Sequence, residues 1–143
     1  MKKIILVLLL FIIVGVLWAD TVSDGTVSQI FNRKPRRNNT VWEDVITAVF
    51  DATDTASVTQ AVKLNGIIQK VILEAPNNTN NAPCKVQIYD DRDVLIFDSS
   101  FLINVIYEFI ISEPVTGTID IVISIPFAMG ATNPDIVVTL RGI

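Results

Sequence analysis

Near the C-terminal end of this 143-residue chain, apolar side chains recur at every second position. Over 118–125, Ile119, Ile121, Ile123 and Ile125 alternate with Thr118, Asp120, Val122 and Ser124. Over 135–141, Ile136, Val138 and Leu140 alternate with Asp135, Val137, Thr139 and Arg141. A strand turns successive side chains to opposite faces, whereas a helix returns to one face every three to four residues. The repeat therefore predicts extended strands with one face buried. The Ile and Val at these positions have branched side chains that suit a pleated, half-buried surface better than a helix.

From Val41 onward, short apolar runs alternate with turn signals about every 8–12 residues, the pattern of an all-β sandwich or barrel. Candidate strands are 44–50, 57–64, 67–74, 84–90, 93–98, 103–112, 117–125 and 135–141. The expected breaks are the Asn65-Gly66 pair, the polar loop from Pro76 to Pro83, the Asp90-Asp91-Arg92-Asp93 turn, Pro114 to Gly117, and Met129 to Pro134. About eight strands without a helical pattern predict an antiparallel β-sandwich, with a jelly roll among the arrangements that fit. Cys84 is the only cysteine, which rules out an intrachain disulfide. The fold must therefore rest on its hydrophobic core, and Cys84 itself reads as a small buried hydrophobe at a strand start.

The other end of the chain has a different character. Lys2 and Lys3 precede an uncharged run from Ile4 to Ala19, IILVLLLFIIVGVLWA. As a helix this run would span about 24 Å, a little less than the hydrocarbon core of a bilayer. Lys2 and Lys3 can reach one interface and Trp18 suits the other, with Ile4, Leu8, Phe11, Ile12 and Val16 among the lipid-facing residues. Positive-inside logic keeps the two lysines cytoplasmic and sends the remainder across. A cleaved signal peptide is the alternative, although cleavage after Ala19 would place bulky Leu17 close to the cut. The expected organisation is a transmembrane anchor or signal over 1–20, a basic linker over 21–40 and a β-sandwich over 41–143. Within the linker, a short strand fits Val27–Phe31.

Charge divides at the same boundary. Residues 1–40 carry six basic and two acidic side chains, and residues 41–143 carry five basic and thirteen acidic. Arg33, Lys34, Arg36 and Arg37 form a basic patch suited to lipid headgroups or an acidic neighbour, or simply to a solvated tether. The acidic β domain is a poor match for nucleic acid, because phosphate contacts need Lys and Arg.

The absence of histidine removes the commonest general base and metal ligand. No phosphate-cradling glycine motif occurs, and a lone cysteine cannot build a zinc site. No enzymatic activity and no cofactor are expected. Asp90, Asp91 and Asp93 could offer oxygen ligands to calcium, but turn chemistry explains the cluster more simply. Asn38-Asn39-Thr40 and Asn77-Asn78-Thr79 match the glycosylation sequon and are read as loop asparagines.

The order of features from residue 57 to the end resembles small β-sandwich structural proteins of bacteriophage particles, of the kind that decorate capsids or form head fibres. The features are Asn65-Gly66-Ile67-Ile68 opening a strand, Ala75-Pro76 with a polar loop to Ala82-Pro83, and Val86-Gln87-Ile88-Tyr89 running through the acidic turn to Val94-Leu95. Pro114-Val115-Thr116-Gly117-Thr118-Ile119 and Ile136-Val137-Val138-Thr139-Leu140 follow. Arg92 departs from the pattern, standing where such turns usually carry glycine, and so does the added apolar N-terminus. The resemblance implies a virion structural protein. With the anchor, it implies a minor capsid, penton or spike-base component of a phage that holds a lipid membrane inside its shell. The implied partners are that membrane, other capsid proteins and further copies of the chain. The rival expectation is an exported bacterial binding or adhesion module, secreted or held at the cell envelope. Scarce aromatic residues beyond the anchor count against a sugar-binding platform.

Overall fold

A computed structural model describes residues 26–33, 41–130 and 135–143, the first of these by its backbone. Seven strands form: β1 (Thr26–Arg33), β2 (Trp42–Val49), β3 (Ser57–Ala75), β4 (Lys85–Tyr89), β5 (Leu95–Asp98), β6 (Val105–Ser124) and β7 (Ile136–Gly142). They hydrogen-bond in the order β1-β2-β7-β3-β6-β4-β5, and every pairing is antiparallel. The anchor expected over 1–20 lies outside the described residues. Among those residues no helix is long and apolar enough to cross a membrane.

Two strands dominate. β3 has 19 residues and β6 has 20, and they pair along almost their whole length, from Ser57↔Ser124 to Ala75↔Val105. Laid flat, either would stretch about 60 Å, well beyond the dimensions of a domain near 100 residues. The sheet instead doubles over. Phe97 of β5 is in register with Ile88, which is in register with Ile121 of β6. Phe109 lies about 40 Å further along a flat β6. Even so, the rings of Phe97 and Phe109 meet edge to face with centroids 5.1 Å apart. The result is a sandwich folded from one sheet. One layer holds β1, β2, β7, the second half of β3 and the first half of β6. The other holds the first half of β3, the second half of β6, β4 and β5.

The core fills the space between the layers. Ile46 and Ala48 of β2, Ile136, Val138 and Leu140 of β7, and Val71 and Leu73 of β3 come from the first layer; Val62, Leu64, Val86, Ile88, Ile119, Ile121 and Ile123 come from the second. The alternation predicted over 118–125 and 135–141 supplies much of this face. In β3 the inward positions change from even (Val58, Val62, Leu64, Ile68) to odd (Val71, Leu73, Ala75) across a register shift between Ile68 and Lys70. An extra residue at this point lets both halves of one strand face the same core.

The breaks expected at Asn65-Gly66 and Pro114–Gly117 are not chain reversals, and this corrects the expected count. Strands 57–64 and 67–74 are one strand, as are 103–112 and 117–125. The two turn-like segments are cross-strand partners: Leu64↔Gly117, Asn65↔Thr116, Gly66↔Val115 and Ile67↔Pro114. They form the crease. Gly66 has φ +144° and Gly117 φ +106°, values that L side chains rarely adopt. The Gly117 N–H donates to Asn65 Oδ1 at 3.3 Å. Pro114, which has no N–H to give, sits where β6 has β3 on one side and, among the described residues, no strand on the other. Sequence signals for a turn were thus correct about unusual backbone and wrong about its use, because a long-range partner keeps both segments extended.

The remaining breaks are loops. Asn78, buried in the loop after β3, donates to the Ala82 carbonyl at 2.9 Å and accepts from the Ala82 N–H at 2.8 Å. The strand expected at Val27–Phe31 is present as β1 and pairs along all of its length with β2.

Replacing Gly66 by alanine tests the crease. Its methyl would overlap the Ile143 carbonyl and lie 3.2 Å from Trp42 Nε1. Gly66→Ala should lower stability by about 3 kcal/mol in urea denaturation, combining steric overlap with backbone strain. Asn65→Ala, which removes one partly exposed hydrogen bond, should cost about 1 kcal/mol or less.

Candidate functional site

The acidic turn between β4 and β5 is fully explained by its own geometry. Asp93 N–H donates to the Asp90 carbonyl at 3.1 Å and Asp90 N–H to the Val94 carbonyl at 2.9 Å. Asp93 takes the left-handed conformation (φ 59°), which Asp tolerates better than most residues. This is a three-residue hairpin loop ending in a left-handed residue, so Arg92 needs no glycine's freedom. The Asp90 carboxylate accepts from the N–H groups of Arg92 and Val94, both at 2.9 Å, and from the Arg92 guanidinium at 2.9 Å. The bond from Val94 first, and then those from Arg92, hold its carboxyl below the usual range. With its oxygens so engaged, Asp90 is poorly placed to ligate calcium. Among the described residues no group of three or more His, Cys, Asp or Glu could hold a metal ion.

Cys84 is buried, bridging backbone to backbone with Leu102 at the start of β4. Burial pushes its thiol up to about 11, only partly offset by a hydrogen bond from its own backbone. Such a thiol is neither a nucleophile nor a ready partner for an intermolecular bridge.

Of the predicted basic patch, Arg33 is the last residue of β1, in register with Trp42. Lys34, Arg36 and Arg37 lie outside the described residues, between two strands that pair with each other. The membrane-contacting set of Lys2, Lys3, Ile4, Leu8, Phe11, Ile12, Val16 and Trp18 also lies outside them.

The surface offers open depressions. A cleft of about 510 Å³ beside the crease is lined by Lys70, Ile110, Ile111 and Arg141 among others. Its cations are engaged, Lys70 with Glu108 at 2.7 Å and Arg141 with Glu43. The feature that sequence reasoning missed is the first half of β6. Ile110 is 85% exposed and Ile106 61%, although both lie in the middle of a strand. Between them Glu108 accepts from Lys70, which holds its carboxyl below the usual range. The strand is apolar on both faces, with Tyr107, Phe109 and Ile111 packed against the core and Ile106 and Ile110 pointing out. Two apolar faces read in sequence as a fully buried strand, whereas this one lies at an edge.

Comparisons with known proteins show no family for this chain: no family model and no curated protein matches. Among solved structures, a CBM4 structure has a TM-score of 0.37 and 16% identity over 86% of this chain and 80% of its own. The infectious bursal disease virus (Gx strain) structure has a TM-score of 0.38 and 10% identity over 86% of this chain. The enzymatically active domain of bacteriophage CBA120 tailspike protein 4 has a TM-score of 0.36 and 13% identity over 86% of this chain. This chain spans 33% of the viral chain's length and 20% of the tailspike chain's.

Two outcomes check this description. Native Cys84 should react with a thiol reagent at pH 8 at least about tenfold more slowly than the unfolded chain, because burial both raises its thiol and shields it from the reagent. Millimolar calcium should leave the melting temperature unmoved, while Asp90→Asn should lower it at neutral pH. Because the Asp90 carboxyl is held below its unfolded value, its contribution is present above the ordinary carboxylate range and fades as pH falls through the folded value. A calcium-induced rise in melting temperature would restore the metal reading.

Proposed function

We propose that this chain is a non-enzymatic structural protein of a virion: a membrane-anchored minor capsid, penton or spike-base component of a lipid-containing bacteriophage. The observation that carries the reading is the β6 edge, where Ile106 and Ile110 stand 61% and 85% exposed on the half of the strand that, among the described residues, pairs only with β3. Apolar edges of this kind are normally shielded in free-standing proteins, and a shell of packed subunits shields them with neighbours. The chemistry available at the surface is otherwise a set of satisfied ion pairs and open clefts, which suits protein contact better than turnover.

The division of charge supports the same reading. The acidic domain would face other shell proteins and be repelled by nucleic acid, leaving the N-terminal segment to engage lipid. Thr26 begins β1 and Arg33 ends it, about 23 Å further along. The basic residues that follow Arg33 in the sequence would engage lipid headgroups or an acidic neighbour.

Fractionation of purified particles tests the proposal. The protein should copurify with virions and stay with the lipid vesicle when the shell is stripped, with an N-terminus upstream of Ile4. Absence from particles overturns the virion reading. Recovery in the cell envelope would favour the exported binding module, and an N-terminus at Asp20 would remove the anchor.

A further inference from the structure

From Val105 to Ile110, β6 pairs with β3 on one side, and Ile111 and Ser112 lie in the register shift. Among the described residues no strand lies on the other side, since β4 joins β6 only over Asp120–Ser124. The backbone groups along that side are an open template for another strand. Other edges among the described residues are β1, which pairs only with β2, the stretch Ser57–Asn65 of β3, which β7 does not reach, and the four-residue β5. The β3 edge exposes Ser57, Thr59, Lys63 and Asn65, a polar border unlike that of β6.

The sequence along the open stretch reads alike from either end. Residues 105–111 are Val-Ile-Tyr-Glu-Phe-Ile-Ile, with aromatic residues flanking Glu108, then isoleucines, then Val105 and Ile111. Asn104 and Ser112 extend the symmetry by one polar pair. An antiparallel strand that is a second copy of this one therefore meets matching chemistry at every position, provided the two-fold axis passes through Glu108. We infer that the β6 edge is a self-docking surface, joining two copies of this chain into a continuous sheet through antiparallel pairing of Val105–Ile111 centred on Glu108.

In that register Ile106 of one copy faces Ile110 of the other on the outer surface, and Tyr107 faces Phe109 on the core side. β-Branched and aromatic cross-strand pairs of these kinds are the favourable units of sheet pairing. The two-fold axis makes the interface isologous, so each pair occurs twice. Centring the pairing on Tyr107 or Phe109 instead sets an isoleucine against Glu108. Centring it on Glu108 brings two carboxylates together, and each is already neutralised by Lys70 at 2.7 Å. The arrangement covers Ile110 and Ile106, the two most exposed large apolar side chains among those described, with each other.

Site-specific oxidation of the full chain in detergent micelles tests the register. Cys84 can remain, because it is buried. Glu108→Cys should form an intermolecular disulfide in most chains, since the two positions would be directly opposed and within disulfide reach. Ile106→Cys and Ile110→Cys alone should cross-link poorly, their own counterparts lying about 13 Å away, while a mixture of the two should cross-link well. Ile110→Lys, at a site where a charge can remain in solvent in the monomer, should raise the dimer dissociation constant at least about tenfold in sedimentation equilibrium. Equal cross-linking at all three positions, cross-linking at none, or a chain that is monomeric or dimeric regardless of Ile110→Lys would each overturn the proposal. These outcomes are independent of whether the protein is found in a particle.

Discussion

At Gly66 the chain end and the longest pair of strands come into contact. Ile67 N–H donates to the Ile143 carbonyl at 2.8 Å, and Ile143 N–H returns to the Ile67 carbonyl at 3.1 Å. A side chain at position 66 would stand where the Ile143 carbonyl is, and one at Gly142 would overlap the Ile67 carbonyl and the Trp42 ring. Trp42 is wedged beside both glycines and buried, its indole N–H without an acceptor among the described residues. The layered structure depends on this crease. If β3 and β6 stayed flat, Phe97 could not reach Phe109, and the isoleucines of β6 would have no facing layer to bury them.

The same crease explains why the domain has an open edge. β3 and β6 cross from one layer into the other, but β4 and β5 accompany only the second half of β6. The first half is left as the last strand of its layer. The position that would normally be shielded by charge or proline carries Ile106 and Ile110 instead, with Glu108 as the single charge between them. Pro114 closes the edge at the crease. A border so apolar and so symmetric is the surface that the proposed pairing of two copies would cover.

Elsewhere the polar groups are largely self-contained. Asp90 is occupied by its own hairpin, Lys70 and Glu108 hold each other, Asn78 ties its loop, and Cys84 is pushed out of its reactive range. Among the described residues, these polar groups fix loops and strands. What it presents outward is surface, with a charge division that sets an acidic β domain against a basic and apolar N-terminal stretch.

Much of this was legible in the chain itself. Period-two alternation at 118–125 and 135–141 determined strands and chose their buried faces, because a strand's side-chain direction is set locally. The hairpin at Asp90–Asp93 and the polar loop after Ala75 were equally readable, since turn chemistry acts over a few residues. The joining of 57–64 to 67–74 and of 103–112 to 117–125 was not. Asn65-Gly66 and Pro114–Gly117 look like reversals until each is placed opposite the other, about fifty residues away. Likewise Ile106 and Ile110 carry the composition of a buried strand, and only the order of the sheet reveals that no described strand lies beside them. Local sequence determined which residues are extended and which way they face; pairing between distant segments decided where the sheet folds and where it stops.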